Sequence, residues 1–205
     1  MKLRMVSLMK FNKSDFENYM KVFLQENSKL NLISKNDEKF LWEKHIFDSL
    51  AISKVFEKYG QGQTLLDIGA GGGFPSVPVA LAYPEIEVFA LDSIRKKIYA
   101  IENMKIALNI QNLHTICERA ENLDRKFDII TSRAVAPLKI ISSYAAPLLE
   151  KNGYFIAFKS RRTDEEIQEA QAVLKKFKLE IADIIEYELP LCENHTRNLI
   201  VIKFK

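Results

Sequence analysis

From Thr64 onward the chain alternates short, wholly apolar runs with longer segments in which apolar residues return every three or four positions. Runs of the first kind read as strands buried on both faces, and segments of the second kind as amphipathic helices that cover them. The pattern predicts strands over 64–68, 87–91, 112–117, 127–132 and 153–158, with helices over 75–82, 94–108 and 137–150. Thr163 and Glu166 have capping-box spacing, and Ile167, Ala170, Leu174 and Phe177 follow along one side, so a further helix starts there. Two final strands, 180–187 and 198–204, are joined through Pro190 by a link too short for a helix, which favours antiparallel pairing. The expected class is α/β, with a mostly parallel seven-stranded sheet and an antiparallel last strand.

The first 60 residues follow a different rhythm. Ser14-Asp15-Phe16-Glu17 has the form of a capping box, and Phe16, Tyr19, Met20, Phe23 and Leu24 continue at helical spacing, predicting a helix from Ser14 to Gln25. A second helical region runs over 38–59, with a break near Asp48. Gly60-Gln61-Gly62 is the one hinge-like join, which divides the chain into a helical extension at 1–60 and a core at 61–205.

Composition narrows the function classes. With 30 basic and 27 acidic residues the net charge is only +3, so nucleic-acid contact rests on local clusters and not on a polybasic tail. Cys117 and Cys192 form neither a metal set nor a disulfide framework, and they read as buried thiols in a reducing cytoplasm. No signal peptide is legible, and no apolar run approaches the ~20 residues of a membrane span. The expectation is a cytoplasmic monomer without metal or membrane.

The chemistry concentrates in Leu65-Leu66-Asp67-Ile68-Gly69-Ala70-Gly71-Gly72-Gly73-Phe74-Pro75. A buried strand ends in an acid and then meets glycines at alternate positions. Such a turn brings bare main chain close to a ligand at the carboxyl end of a central strand. The dinucleotide fingerprint needs a third glycine where Phe74 stands, which argues against a nicotinamide-dependent oxidoreductase without removing it. The spacing Asp67, Gly69, Gly71, Gly73 instead resembles motif I of the Rossmann-like, class I S-adenosylmethionine-dependent methyltransferases. Asp92, closing the second strand, suits ribose hydroxyls in either case.

Further stretches, in order, are similar to the bacterial small-subunit ribosomal RNA guanine-N7 methyltransferases, also called glucose-inhibited division protein B. They are Lys29-Leu30-Asn31-Leu32-Ile33, His45-Ile46-Phe47-Asp48-Ser49-Leu50, the glycine turn, Leu91-Asp92-Ser93, Arg119-Ala120-Glu121, Ser132-Arg133-Ala134 and Arg197-Asn198-Leu199-Ile200-Val201-Ile202-Lys203. The resemblance implies S-adenosylmethionine as cofactor and a guanosine of the 530 loop of 16S ribosomal RNA, in the small subunit, as target. It also implies that Gly69 and Phe74 line the cofactor, that Ala120 and Glu121 hold its adenine side, and that Arg133 touches it. Ser76 and Ser160 depart from the family pattern, where glycine is usual.

These residues suit that reaction. Guanine N7 carries an in-ring lone pair and needs no base, and none is evident. The stretch Thr131-Ser132-Arg133-Ala134-Val135 lacks the Pro-Pro-aromatic signature of exocyclic amine methylation, and Cys117 lacks the proline of a cytosine nucleophile. Arg133 and Lys159 are the candidates for a catalytic part. Arg133 could hold a phosphate or the cofactor carboxylate, and its bland alternative is an ion pair with Glu121 or Asp128. Arg95, Lys96, Lys97, Arg119, Lys159, Arg161 and Arg197 are candidates for RNA phosphates. His45 and Asp48, three apart, can face one another as a polar pair that locks the extension onto the sheet. A non-catalytic RNA-binding or assembly protein on the same scaffold would keep the basic surface.

Overall fold

The computed structural model describes residues 10–160, 163–192 and 195–205. Seven strands form one sheet: β1 (Thr64–Ile68), β2 (Glu87–Leu91), β3 (Leu113–Ile116), β4 (Phe127–Arg133), β5 (Leu149–Lys159), β6 (Leu179–Glu188) and β7 (Thr196–Phe204). Their order is β3-β2-β1-β4-β5-β7-β6, and only β7 runs antiparallel to its neighbours. This is the mostly parallel seven-stranded sheet with an antiparallel last strand that the apolar pattern predicts. The order reverses between β1 and β4, so their carboxyl ends open onto one crevice.

The strand bounds agree closely with the pattern except at β5, which begins at Leu149 directly after α7 (Leu138–Leu148). Its early residues Glu150, Lys151 and Asn152 are exposed, so the apolar signal starts only later. The other core helices are α5 (Ser76–Ala82), α6 (Arg95–Leu108) and α8 (Thr163–Lys176). Both faces of the sheet are covered: one apolar cluster joins β1, β2, α5 and α6, and the other joins β4, β5, α7 and α8.

The extension departs more from its prediction. A 3-10 turn (Lys13–Phe16) precedes α1 (Glu17–Leu30), and the start is set by Asp15, whose carboxylate accepts the Asn12 N–H at 2.8 Å, and not by Ser14. α1 runs past Gln25 because its next residues are polar yet buried: Glu26 accepts from Lys29 and Asn103, and Asn27 donates to Glu38 at 2.7 Å. The second region splits into α2 (Lys35–Glu38), a π-helical turn (Trp42–Ile46), α3 (Phe47–Leu50) and α4 (Ser53–Tyr59). Phe16, Tyr19, Phe23, Trp42 and Ile46 share one buried cluster with Val88, Ile101 and Ile129 of the core. Extension and sheet therefore bury a common apolar surface, which is the dominant favourable term in such docking.

Cys117 and Cys192 are exposed, contrary to expectation. One follows the end of β3 and the other lies in the β6–β7 connection, where the chain has left the sheet. No helix among the described residues is long and apolar enough to cross a membrane, and no group of three His, Cys, Asp or Glu among them could hold a metal ion.

Candidate active site

The turn after β1 is held from behind by two acids. Asp67 is fully buried; its Oδ1 accepts from the Thr131 hydroxyl at 3.0 Å and its Oδ2 from the Ser76 N–H at 3.2 Å. Burial pushes its carboxyl up to about 6, against those hydrogen bonds. Asp67 thus ties β1 to β4 and to the start of α5, and its carboxylate does not reach the open side of the turn. Asp92 works from the second strand: Oδ2 accepts the Gly71 N–H and Oδ1 the Ile94 N–H, both at 2.9 Å. Gly69, Gly71 and Gly73 all have positive φ (74°, 57° and 89°), which explains glycine at alternate positions.

Two cavities open beside this turn. The first, of about 470 Å³, is lined by Gly69, Asp92, Ala120, Glu121, Val135 and Tyr144 among others, with Lys97 and Arg119 at its edge. Its volume falls within the usual ~300–1,000 Å³ of small-ligand sites. Apolar side chains and three acids, Asp92, Glu118 and Glu121, converge there, a set suited to a base and its ribose. A Cβ on Gly69 would stand 2.4 Å from a Val135 methyl, so the bare main chain is what leaves this wall open.

The second cavity, about 650 Å³, is lined by Lys44, His45, Arg133, Lys159, Arg197 and their acidic partners. Ala134 and Val135 belong to both walls. Val135 is 43% exposed, so its side chain presents apolar surface to both cavities. Ala134 turns the chain there with φ +56°.

Several predicted site residues occupy other places than expected. Phe74 does not line the nucleoside-sized cavity; its ring is buried among Tyr19, Phe23 and His45, with centroids 6.3, 5.0 and 5.0 Å away. Apolar and aromatic side chains of the extension bury that ring in the cluster they share with the core. Gly71 and Gly73 shape the turn from outside the cavity wall. Arg133 lines the second cavity, not the first, and pairs with neither Glu121 nor Asp128. Its Nη1 donates to Asp48 at 2.8 Å and to the Lys44 carbonyl at 3.3 Å, its Nη2 to His45 Nδ1 at 2.8 Å, and it sits 5.2 Å from the centre of the Phe74 ring. Asp128 instead accepts from Gln63 and Thr64 at the opposite end of β4.

His45 and Asp48 accordingly do not bond one another; both turn to Arg133. Burial and the adjoining guanidinium lower His45 to about 4, so its ring is neutral, and its Nε2 has no partner among the described residues. Asp48 also accepts from the Tyr187 hydroxyl at 2.7 Å, with Arg197 Nε 4.0 Å away. Neither Lys44 nor Tyr187 stands out in the sequence as a site residue.

Lys159 is not free for chemistry. Its Nζ donates to the Ala136 carbonyl at 3.0 Å and lies 2.6 Å from Glu166, which also accepts the Leu138 N–H at 2.9 Å. Glu166 therefore caps α7 and not, as its spacing suggested, its own helix. Of the other basic candidates, Arg95 and Lys96 are exposed at the start of α6, and Lys97 turns toward Asp92 at 3.9 Å. Arg119 is at the rim of the first cavity, Arg197 in the second, and Arg161 lies outside the described residues.

Known proteins resemble this chain closely. Residues 12–200 match the family described as rRNA small subunit methyltransferase G. The ribosomal RNA small subunit methyltransferase G of Bacillus licheniformis is 35% identical over 97% of this chain and 84% of its own, and that of Staphylococcus epidermidis is 34% identical over the same shares. Among solved structures, an S-adenosylmethionine-dependent methyltransferase from Clostridium acetobutylicum superimposes with a TM-score of 0.60 over 91% of this chain and 99% of that one, at 16% identity. A ribosomal protein L11 methylase from Lactobacillus delbrueckii gives 0.59 over 79% of each chain, at 17% identity. Those structures share the fold, while the sequence match over nearly the whole length carries the kinship: the chain belongs to the rRNA small subunit methyltransferase G family.

Proposed function

We propose that this chain transfers the methyl group of S-adenosylmethionine to N7 of a guanosine in the 530 loop of 16S ribosomal RNA, acting as a cytoplasmic monomer on the small subunit. The observation that carries this reading is the shared wall at Ala134–Val135, with a nucleoside-sized cavity on one side and a cation-lined one on the other. When bound, the cofactor supplies an electrophilic methyl on a sulfonium. Asp92 and Glu121 would take its ribose hydroxyls, Ala120 and Val135 its adenine, and the bare backbone at Gly69 its remaining length.

The second cavity suits a purine that brings its own lone pair. Its three carboxylates already have cationic partners: Asp37 with Lys44 at 2.7 Å, Asp48 with Arg133 and Glu166 with Lys159. The lone pair of His45 faces Arg133. These pairings leave the imidazole of His195, which also lines the cavity, as the remaining candidate base, and N7 attack needs none. What remains for the protein is to position the reactants, which can supply most of the rate. Arg95, Lys96, Arg119 and Arg197 would meet RNA phosphates, and Lys159 would shape the wall. The extension at 1–60 and the core at 61–205 would act as one unit.

The test is to incubate purified protein and labelled S-adenosylmethionine with small subunits from cells lacking the gene, then map label by N7-directed strand cleavage. One labelled guanosine is expected. No transfer, or label resistant to that cleavage, overturns the proposal.

A further inference from the structure

Arg133 has five N–H donors and no acceptor, so its partners must all accept. Both Nη1 donors are taken, by Asp48 and the Lys44 carbonyl, and one Nη2 donor is taken by His45. The second Nη2–H and the Nε–H have no partner among the described residues, and the side chain lines the second cavity at 16% exposure. All three fixed donors end on the extension, within the π-helical turn or the first turn of α3. π turns recur at functional sites because they re-aim side chains that an α-helix would point elsewhere.

From this geometry we infer that His45 and Asp48 are positioning residues: they set the Arg133 guanidinium so that its two remaining donors meet an acceptor oxygen of the incoming guanosine. The inference rests on the reading of the second cavity as the guanosine site. A guanidinium cannot accept, so His45 must offer the Nδ1 lone pair and carry its proton on Nε2. The Phe74 ring lies under both His45 and Arg133 and closes the set from below. The extension thereby completes the site, because β4 alone leaves a long cationic side chain with many rotamers. Held by four partners, Arg133 has little orientational freedom left to lose on meeting substrate.

Two substitutions separate this from mere packing. His45→Phe keeps a ring on Phe74 and removes the acceptor, whereas His45→Asn gives up the ring but keeps an acceptor at the δ position. Positioning predicts that H45F lowers kcat about 100-fold, the loss expected of an ångström-scale misplacement. H45N should stay within a few-fold of wild type. Both should bind S-adenosylmethionine normally by calorimetry, since His45 lies outside that cavity. The 15N guanidinium spectrum of Arg133 should show slow Nη rotation in wild type and H45N and fast rotation in H45F. Equal losses in both variants, loss in H45N alone, or no loss in either would overturn the inference. If wild type methylates no RNA, the proposed function fails, and the Arg133 spectrum alone decides: slow rotation in H45F then overturns the placement.

Discussion

Asp92 grips the glycine turn through Gly71, whose N–H it accepts at 2.9 Å, while its other oxygen accepts from Ile94. One carboxylate at the end of β2 thus fixes both the turn after β1 and the entry to α6. Hydrogen bonds to an ionised group contribute about 1.5–3 kcal/mol each. Asp92→Ala should therefore weaken S-adenosylmethionine binding at least ~10-fold, the equivalent of about 1.4 kcal/mol, with little change in circular dichroism. Calorimetric titration measures it, and undiminished affinity would show that the turn keeps its shape without the acid.

Gly69 and Val135 compete for one space. Gly69→Ala places a methyl 2.4 Å from Val135 and forces a side chain onto a backbone of φ +74°. Backbone strain of this kind costs on the order of 1–3 kcal/mol. G69A should lower the melting temperature and cofactor affinity together. Adding Val135→Ala should restore part of the affinity by clearing the clash, but not the strain. A double variant no better than G69A would remove the clash from the explanation.

Asp67 gives a signed pH prediction. Its carboxyl rises to about 6 in the folded protein against about 3.9 in an unfolded chain, so between these values the folded state binds more protons. Stability from this group falls as pH rises through that window. Asp67→Asn can accept from Ser76 and donate to Thr131 without a charge. Urea unfolding from pH 4 to 7 should then show the Asn variant gaining on wild type with pH, by on the order of 2–3 kcal/mol in all. His45 works with the opposite sign: held near 4, it contributes stability above its unfolded value near 6.5 that is lost as pH falls. It is present in both proteins, and the difference between them isolates Asp67.

Lys159 and Glu166 should behave as a coupled pair. Lys159→Met frees the Ala136 carbonyl and strands the Glu166 carboxylate beside the start of α7. The single change should reduce methyl transfer through the loosened Ala134–Pro137 wall. In K159M/E166Q the loss should be smaller than the sum of the single losses, with a coupling of about 0.5–3 kcal/mol. Strict additivity in kcat would show that the two side chains act apart.

The amino-acid pattern alone determined the sheet and the glycine turn, because both are local in origin. Short apolar runs can be buried only as covered strands, and positive φ at alternate positions admits little besides glycine. It also brought His45 and Asp48 into view as a polar pair on a largely apolar segment, and Arg133 as a cation at the carboxyl end of the fourth strand. What it could not supply was their partnership, since Arg133 and Asp48 stand 85 residues apart. Side-chain hydrogen bonds form between whichever groups the packed backbone brings within about 3 Å, and no periodicity encodes that. For the same reason only the tertiary structure turned Phe74 from the cofactor crevice into the extension, buried Asp67 behind the turn and spent Lys159 on Ala136 and Glu166. The apolar pattern chose the layers, and the close contacts between layers chose which charges remain free to act.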